Sequence, residues 1–234
     1  MAQTVFRRIE MKYRITQAQK SEILRGMMPH MDMDHFGRTT IRNLYLDTDD
    51  YLLIRRSIEK PTYKEKIRIR SYGEDRVFVE LKKKCKGIVF KRRVALPQRE
   101  ALAWVSGQAP CPFCNQITKE IDFFLGHYPS LHPTLFLSYE REAYKTKERS
   151  DFRVTFDDTV LCRQEDLTFD AGVYGTAILP EDEVLMEIKG VGGMPLWMAR
   201  ILSEQKIYKT SFSKYGTAYR TLIFPKIKEE RFHV

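Results

Sequence analysis

The chain has 234 residues, 43% hydrophobic and 30% charged, and its 40 Lys and Arg against 31 Asp and Glu give a formal net charge of +9. This is enough apolar material for a packed core, with no apolar run near the ~20 residues of a membrane span and no apolar h-region in the N-terminal "MAQTVFRRIEMKYRI". A single cytoplasmic domain over 1–234 is the expectation, and the basic balance points to phosphate-rich partners.

Residues 7–15 alternate. Ile9, Met11, Tyr13 and Ile15 share one face of a strand, and Arg8, Glu10, Lys12 and Arg14 the other. Thr16 and Gln19 make a capping-box signature for a helix over 16–28. A strand over 38–48 follows, then a short amphipathic helix or turn over 49–57. Residues 63–72, 76–84 and 87–96 read as an antiparallel meander with short links around 73–75 and 85–87. Pro97 suits the start of a helix over 97–106. Ile117, Ile121, Phe124 and Leu125 are spaced helically, and the segment stops at Gly126 and Pro129. Strand patterns return over 134–146, 151–164 and 181–191, and helices over 194–205 and 213–223. "GVGGMP" lacks P-loop spacing and reads as a strand-to-helix turn. "KIKEERFHV" reads as a solvated tail.

Some features carry no chemistry. The Cys111 and Cys114 of "CPFC" sit in a Pro-rich link, without the strand and helix a redox motif requires, and Cys85 and Cys162 complete no zinc spacing. The five histidines show no ligand spacing. Trp104, Trp197 and Met198 are core positions.

The polar faces carry the signal. They hold Lys64, Lys66, Arg68 and Arg70; Glu80, Lys82 and Lys84; Lys91 and Arg93; Tyr139 and Arg141; Arg153; and Glu187 with Lys189. A merely solvated face mixes signs and uses neutral polar residues, whereas like charges in line repel unless an anion covers them. Arginine's planar fork suits phosphate oxygens. An α+β fold follows: about eight antiparallel strands closing as a barrel, charged faces inward, would form a basic tunnel. The helices at 16–28, 97–106, 115–126, 194–205 and 213–223 would cover its apolar outer face. The scattered glutamates suit Mg²⁺ or Mn²⁺, which take carboxylate and phosphate oxygens.

The motifs "EMKY", "KIRIRSY", "VELKKK", "YEREAY", "FRVTFD", "LMEIKG" and "SFSKYGTAY", in this order, resemble the VTC (vacuolar transporter chaperone) polyphosphate polymerase domain. That family lies within the CYTH-like triphosphate tunnel metalloenzymes, and the resemblance covers about residues 5–224. It implies a tunnel that binds ATP or another triphosphate with Mn²⁺ or Mg²⁺ and transfers the γ-phosphate to polyphosphate or pyrophosphate. Carried over, Arg68, Arg70, Arg141, Arg153 and Lys189 become catalytic. Lys12, Lys66, Lys82, Lys91, Tyr139, Ser213 and Lys214 bind substrate, and Glu187 with Glu10 holds the metal. The wider superfamily's first strand often reads Glu-x-Glu-x-Lys. Here the frame is Arg8-Ile9-Glu10-Met11-Lys12, one glutamate short, which fits the VTC branch and weakens a two-metal triphosphatase. A triphosphatase or short-chain polyphosphatase of the same fold, and a non-catalytic polyphosphate or nucleotide sensor, stay open as alternatives. Nucleic acid is not an expected partner.

Overall fold

The computed structural model describes residues 8–73, 75–86, 88–148 and 151–232. Arg7, Glu74 and Gly87 of the expected strands and links, and His233 and Val234 of the tail, lie outside them. The elements in order are β1 (Arg8–Thr16), α1 (Gln17–Met27), β2 (Met31–Asp47), α2 (Leu52–Ile58), β3 (Tyr63–Ser71), β4 (Arg76–Cys85) and β5 (Ile88–Pro97). Helices α3 (Gln98–Val105) and α4 (Gln116–His127) follow, then β6 (His132–Thr146), β7 (Arg153–Arg163), the two-residue β8 (Thr176–Ala177) and β9 (Glu183–Val191). The chain ends with α5 (Leu196–Glu204), α6 (Lys214–Ala218), a π-helical turn (Tyr219–Ile223) and α7 (Phe224–Phe232).

Local chemistry sets these boundaries. The Thr16 hydroxyl accepts from the Gln19 N–H at 3.1 Å, and the Gln19 side chain accepts from the Thr16 N–H at 3.0 Å, closing the expected capping box. Helix α2 is preceded by Tyr51, a non-glycine residue at φ 57° whose side chain does not cap it. The buried Asp47 carboxylate serves that end instead, accepting from the N–H groups of Leu53 and Ile54 at 2.8 and 3.0 Å. Strand β2 begins seven residues earlier than the expected start at 38, because Gly37 and a mixed-polarity run hide its alternation. The expected tail instead continues as α7, on from the π-helical turn.

The strand order is β1-β9-β7-β6-β2-β3-β4-β5, with β8 beside β7. The α+β architecture with a large antiparallel sheet is as expected. Among the described residues its pairings form a path with two ends rather than the closed barrel expected. On one side of β1 the partner is β9; elsewhere the Lys12 C=O accepts from the Thr210 N–H at 2.7 Å, an isolated bridge to the segment after α5.

The chain packs as two compact units. Unit one comprises Met1–Thr40, Tyr139–Val160 and Leu179–Ser213; unit two comprises Ile41–Ser138, Leu161–Ile178 and Lys214–Val234. In unit one, Tyr13 and Ile15 of β1, Val154 and Phe156 of β7, and Val184, Met186 and Ile188 of β9 pack against Ile23 and Met27 of α1 and Met198 and Leu202 of α5. In unit two, Leu44 and Leu46 of β2, Ile67 and Ile69 of β3, Val77, Val79 and Leu81 of β4 and Val94 and Leu96 of β5 pack against α3 and α4 through Trp104, Ile121 and Phe124. In both units, therefore, the alternate residues of each strand face away from the helices. Helix α6 departs from the expected covering role. Its Tyr215 stacks on Tyr45 at 4.6 Å, and Tyr45 alternates with the core residues Leu44 and Leu46, so it lies on the polar face.

Candidate functional site

Unit two builds a ladder of charge across β3, β4 and β5. The antiparallel register places Arg70 opposite Phe78 and Phe78 opposite Ala95; Arg68 opposite Glu80 and Glu80 opposite Arg93; Lys66 opposite Lys82 and Lys82 opposite Lys91; and Lys64 opposite Lys84. All these residues alternate with the buried apolar row that meets the helices.

Glu80 is the hub. It is 2% exposed. Arg68 donates to its Oε2 through Nη2 at 2.7 Å and Nε at 2.9 Å, and Arg70 Nε lies at 3.8 Å from the same oxygen. Its Oε1 faces Lys91 Nζ at 2.6 Å and Arg93 Nε at 3.3 Å. Burial alone would raise the Glu80 pKa, but Arg68, Arg70 and Lys91 hold it well below the usual carboxylate range. The Lys91 side chain is 42% exposed, yet loss of water around its ammonium, with Arg68 and Arg70 adding, pulls it down to about 8 against the opposing effect of Glu80. One carboxylate thus orders four cations and leaves the group strongly positive.

Neighbouring polar residues finish the aiming. Arg68 Nη1 donates to the Tyr45 hydroxyl at 3.0 Å, and Arg70 Nε to the Asn43 side-chain oxygen at 3.1 Å. Asn43 is itself fixed by its bond to the Leu137 carbonyl at 3.0 Å. Lys66 Nζ lies 6.0 Å from the Tyr215 ring centre, and the Tyr215 hydroxyl donates to Asp47 at 2.8 Å. Lys214 opens α6 beside Tyr215 and is buried. Lys82 is exposed on the same face as Lys66 and Lys91.

Unit one builds a second set of rungs across β1, β9 and β7. Glu10, Lys189 and Arg153 share one; Lys12, Glu187 and Thr155 share the next; Arg14, Leu185 and Asp157 share a third. Glu187 is 6% exposed. Its Oε1 lies 3.2 Å from Lys12 Nζ, its Oε2 accepts from Lys189 at 2.7 Å, and Arg141 Nη2 stands 4.0 Å away. Lys12 also reaches Glu10 at 3.8 Å and donates to the Phe212 carbonyl at 2.9 Å. Arg141 is clamped by Asp157, and its guanidinium sits 5.1 Å from the buried Tyr139 ring. Burial would lower the Arg141 pKa, but Asp157 more than offsets it and keeps the group charged. Arg153 is exposed, and Ser213 is half-buried at the end of the unit.

The sequence-predicted residues therefore fall into two groups. Glu10, Lys12, Tyr139, Arg141, Arg153, Glu187, Lys189 and Ser213 belong to unit one; Lys66, Arg68, Arg70, Lys82, Lys91 and Lys214 belong to unit two. Sequence reasoning missed the residues that hold the cations in place. Asp157 was visible as the partner in alternation of Arg153 within "FRVTFD", and Asn43 and Tyr45 as the polar alternates of "NLYL". Among the described residues no group of three or more His, Cys, Asp or Glu side chains converges as a metal cage. Glu10 and Glu187 do converge on one point, the Lys12 ammonium.

Comparison with known proteins gives the class first. The fold matches that of a proposed adenylate cyclase from Bacillus halodurans at a TM-score of 0.58 and 16% identity, covering 92% of this chain and 96% of the other. It also matches a proposed adenylyl cyclase from Hippeastrum with a dominant triphosphatase activity, at a TM-score of 0.56 and 15% identity, covering 92% and 95%. These likenesses show a shared α+β antiparallel fold. The VTC domain profile matches residues 7–223, and the chain belongs to the VTC domain family. No curated protein matches it in sequence.

Proposed function

We propose that this VTC domain is a phosphotransferase that moves the γ-phosphoryl group of ATP onto a polyphosphate or pyrophosphate acceptor. The observation that carries the reading is the geometry around Glu80, where a buried carboxylate orders four cations without neutralising them. Such preorganised charge is what phosphoryl transfer needs, because its catalysis is mostly positioning and charge stabilisation. An acceptor phosphate oxygen attacks the γ-phosphorus, the bond to the β–γ bridging oxygen breaks, and ADP leaves with that electron pair. The acceptor is already anionic, so no catalytic base is required.

The roles follow from the supports. Arg68 and Arg70, set by Glu80, Tyr45 and Asn43, would bind phosphate oxygens in unit two, and Arg141, set by Asp157, would do so in unit one. Arg153 and Lys189 share the adjoining rung in unit one and would add charge there. Lys66, Lys82 and Lys91 offer compact ammonium groups that a phosphate chain can exchange between more readily than bidentate arginines. Lys12, Tyr139, Ser213 and Lys214 would complete substrate contacts. Glu187 and Glu10 fit a Mg²⁺ or Mn²⁺ ion bound by one or two carboxylates plus substrate oxygens, since both already converge on a single cation. Such an ion supplies further neutralisation of phosphate charge.

Hydrolysis of a triphosphate is the second reading, favoured by the triphosphatase activity of the Hippeastrum neighbour. Arg8, in place of the superfamily's first glutamate, counts against it. Incubation with ATP and Mn²⁺, with and without a short polyphosphate primer, separates the readings on a sizing gel. Products longer than the primer, absent from Glu187→Ala, are expected. Free phosphate without elongation would replace the transferase by a hydrolase, and binding without turnover would leave a sensor.

A further inference from the structure

Thr155 is the one residue of the central unit-one rung that the reading above does not use. Its neighbours Val154 and Phe156 lie in the core under α1 and α5, so its side chain faces the other way, with Arg153 and Asp157. It stands opposite Glu187 in register, and Glu187 stands opposite Lys12. Thr155 is 8% exposed. Its hydroxyl is fully covered and has no hydrogen-bond partner among the described residues.

A buried hydroxyl without a partner costs folding free energy, and a valine of the same shape would fill the site without that cost. Such a group calls for an explanation. The adjacent carboxylates do not provide one. Glu187 has Lys12 on one oxygen and Lys189 on the other, and both oxygens of Asp157 accept from Arg141. On this face Lys12, Lys189, Arg141 and Arg153 bring four cations against three carboxylates, Glu10, Glu187 and Asp157, each of which already has a cation beside it.

Building on the triphosphate reading, we propose that Thr155 is a phosphate-binding residue whose hydroxyl, covered in this structure, donates a hydrogen bond to a phosphate oxygen of the substrate chain once the side chains over it turn toward that chain. It is a neutral donor set among cations. It adds direction to a contact that lysines supply only as charge.

The test uses the full chain, inorganic tripolyphosphate as probe, and the variants Thr155→Val and Thr155→Ser. Calorimetric titration is run in EDTA and again with Mg²⁺, alongside thermal unfolding without ligand. Thr155→Val should unfold no lower than the parent protein, yet bind tripolyphosphate about tenfold or more weakly in both buffers, as expected for a lost bond to a charged group. Thr155→Ser should stay within about threefold of the parent, since it keeps the donor. A Thr155→Val protein that unfolds earlier and binds normally would overturn the proposal, because the hydroxyl would then serve the fold. A loss confined to the Mg²⁺ buffer would also overturn it, assigning the hydroxyl to a cation. If the parent protein does not bind tripolyphosphate, the triphosphate reading fails as well; if only the variant comparison fails, that reading stands.

Discussion

Arg141 and Asp157 meet as a two-point pair, with Nε donating to Oδ1 at 2.6 Å and Nη2 to Oδ2 at 2.7 Å, and Asp157 has no solvent exposure. Two nitrogens of the planar guanidinium each meet a different carboxylate oxygen, so the carboxylate fixes the fork's orientation as well as its charge. Removing one partner of a buried pair leaves the other uncompensated, at a cost of about 3–5 kcal/mol, whereas replacing both by apolar groups is often close to neutral. Asp157→Asn should therefore lower stability by roughly that amount in urea titrations. The double variant Arg141→Met with Asp157→Leu should be more stable than Asp157→Asn while losing phosphate binding. A double variant less stable than both single ones would show that the pair holds the fold rather than the arginine.

Glu80 makes the complementary case, one anion among several cations. Glu80→Gln removes the counter-charge and leaves Arg68, Arg70, Lys91 and Arg93 repelling one another. The expected result is a lower melting temperature in dilute buffer that recovers as salt or tripolyphosphate is added. Equal melting of the variant and parent at low ionic strength would contradict it.

Lys91 should impose a pH dependence. Its pKa in the fold is about 8, below the ordinary lysine value of 10.5 that the unfolded chain retains. Between these values the unfolded chain holds a proton that the folded one has released, so this group makes folding more favourable as pH rises through the window. Binding runs the other way. A neutral amine no longer attracts phosphate, so tripolyphosphate affinity should fall as pH passes about 8. In Lys91→Arg, charged throughout, that part of the decline should vanish; an identical profile would assign the titration to another group.

Metal dependence should separate the two glutamates from the arginines. Glu187→Gln is expected to retain tripolyphosphate binding in EDTA within a few-fold. It should lose the gain that Mg²⁺ or Mn²⁺ brings, since substrate phosphates cannot hold the ion alone as tightly. Arg68→Ala should lose binding in both buffers. Titrations with and without chelator check this, and a parent protein indifferent to EDTA would remove the metal from the reading.

How much of this was legible in sequence depended on period. The rows Lys64, Lys66, Arg68, Arg70 and Glu10, Lys12 showed plainly, because strict alternation on a strand assigns a face without any tertiary information. The capping box of Thr16 and Gln19 was equally readable, being local chemistry. What could not be read were the long-range partners. Nothing near Arg141 in the chain marks Asp157 as its carboxylate, sixteen positions away, and the approach of Tyr215 to Tyr45 depends on how α6 folds back. The N-terminal part of β2 was hidden because Asp32, Asp34 and Gly37 interrupt its pattern. The α7 segment was hidden because "KIKEERF" is polar almost all round and could read as solvated chain or helix.

Strand β3 has a consequence for how this protein can vary. Lys64, Lys66, Arg68 and Arg70 alternate with Glu65, Ile67 and Ile69, the latter three buried against the helix side. A substitution at one of these positions disturbs that side chain's own contacts. A single-residue insertion or deletion between Tyr63 and Arg70 would instead turn every later side chain over, sending guanidinium groups into the apolar layer and isoleucines toward the charged face. The strand's composition is thus open to gradual change while its length is locked, and an altered residue count there would have to arise together with a compensating bulge.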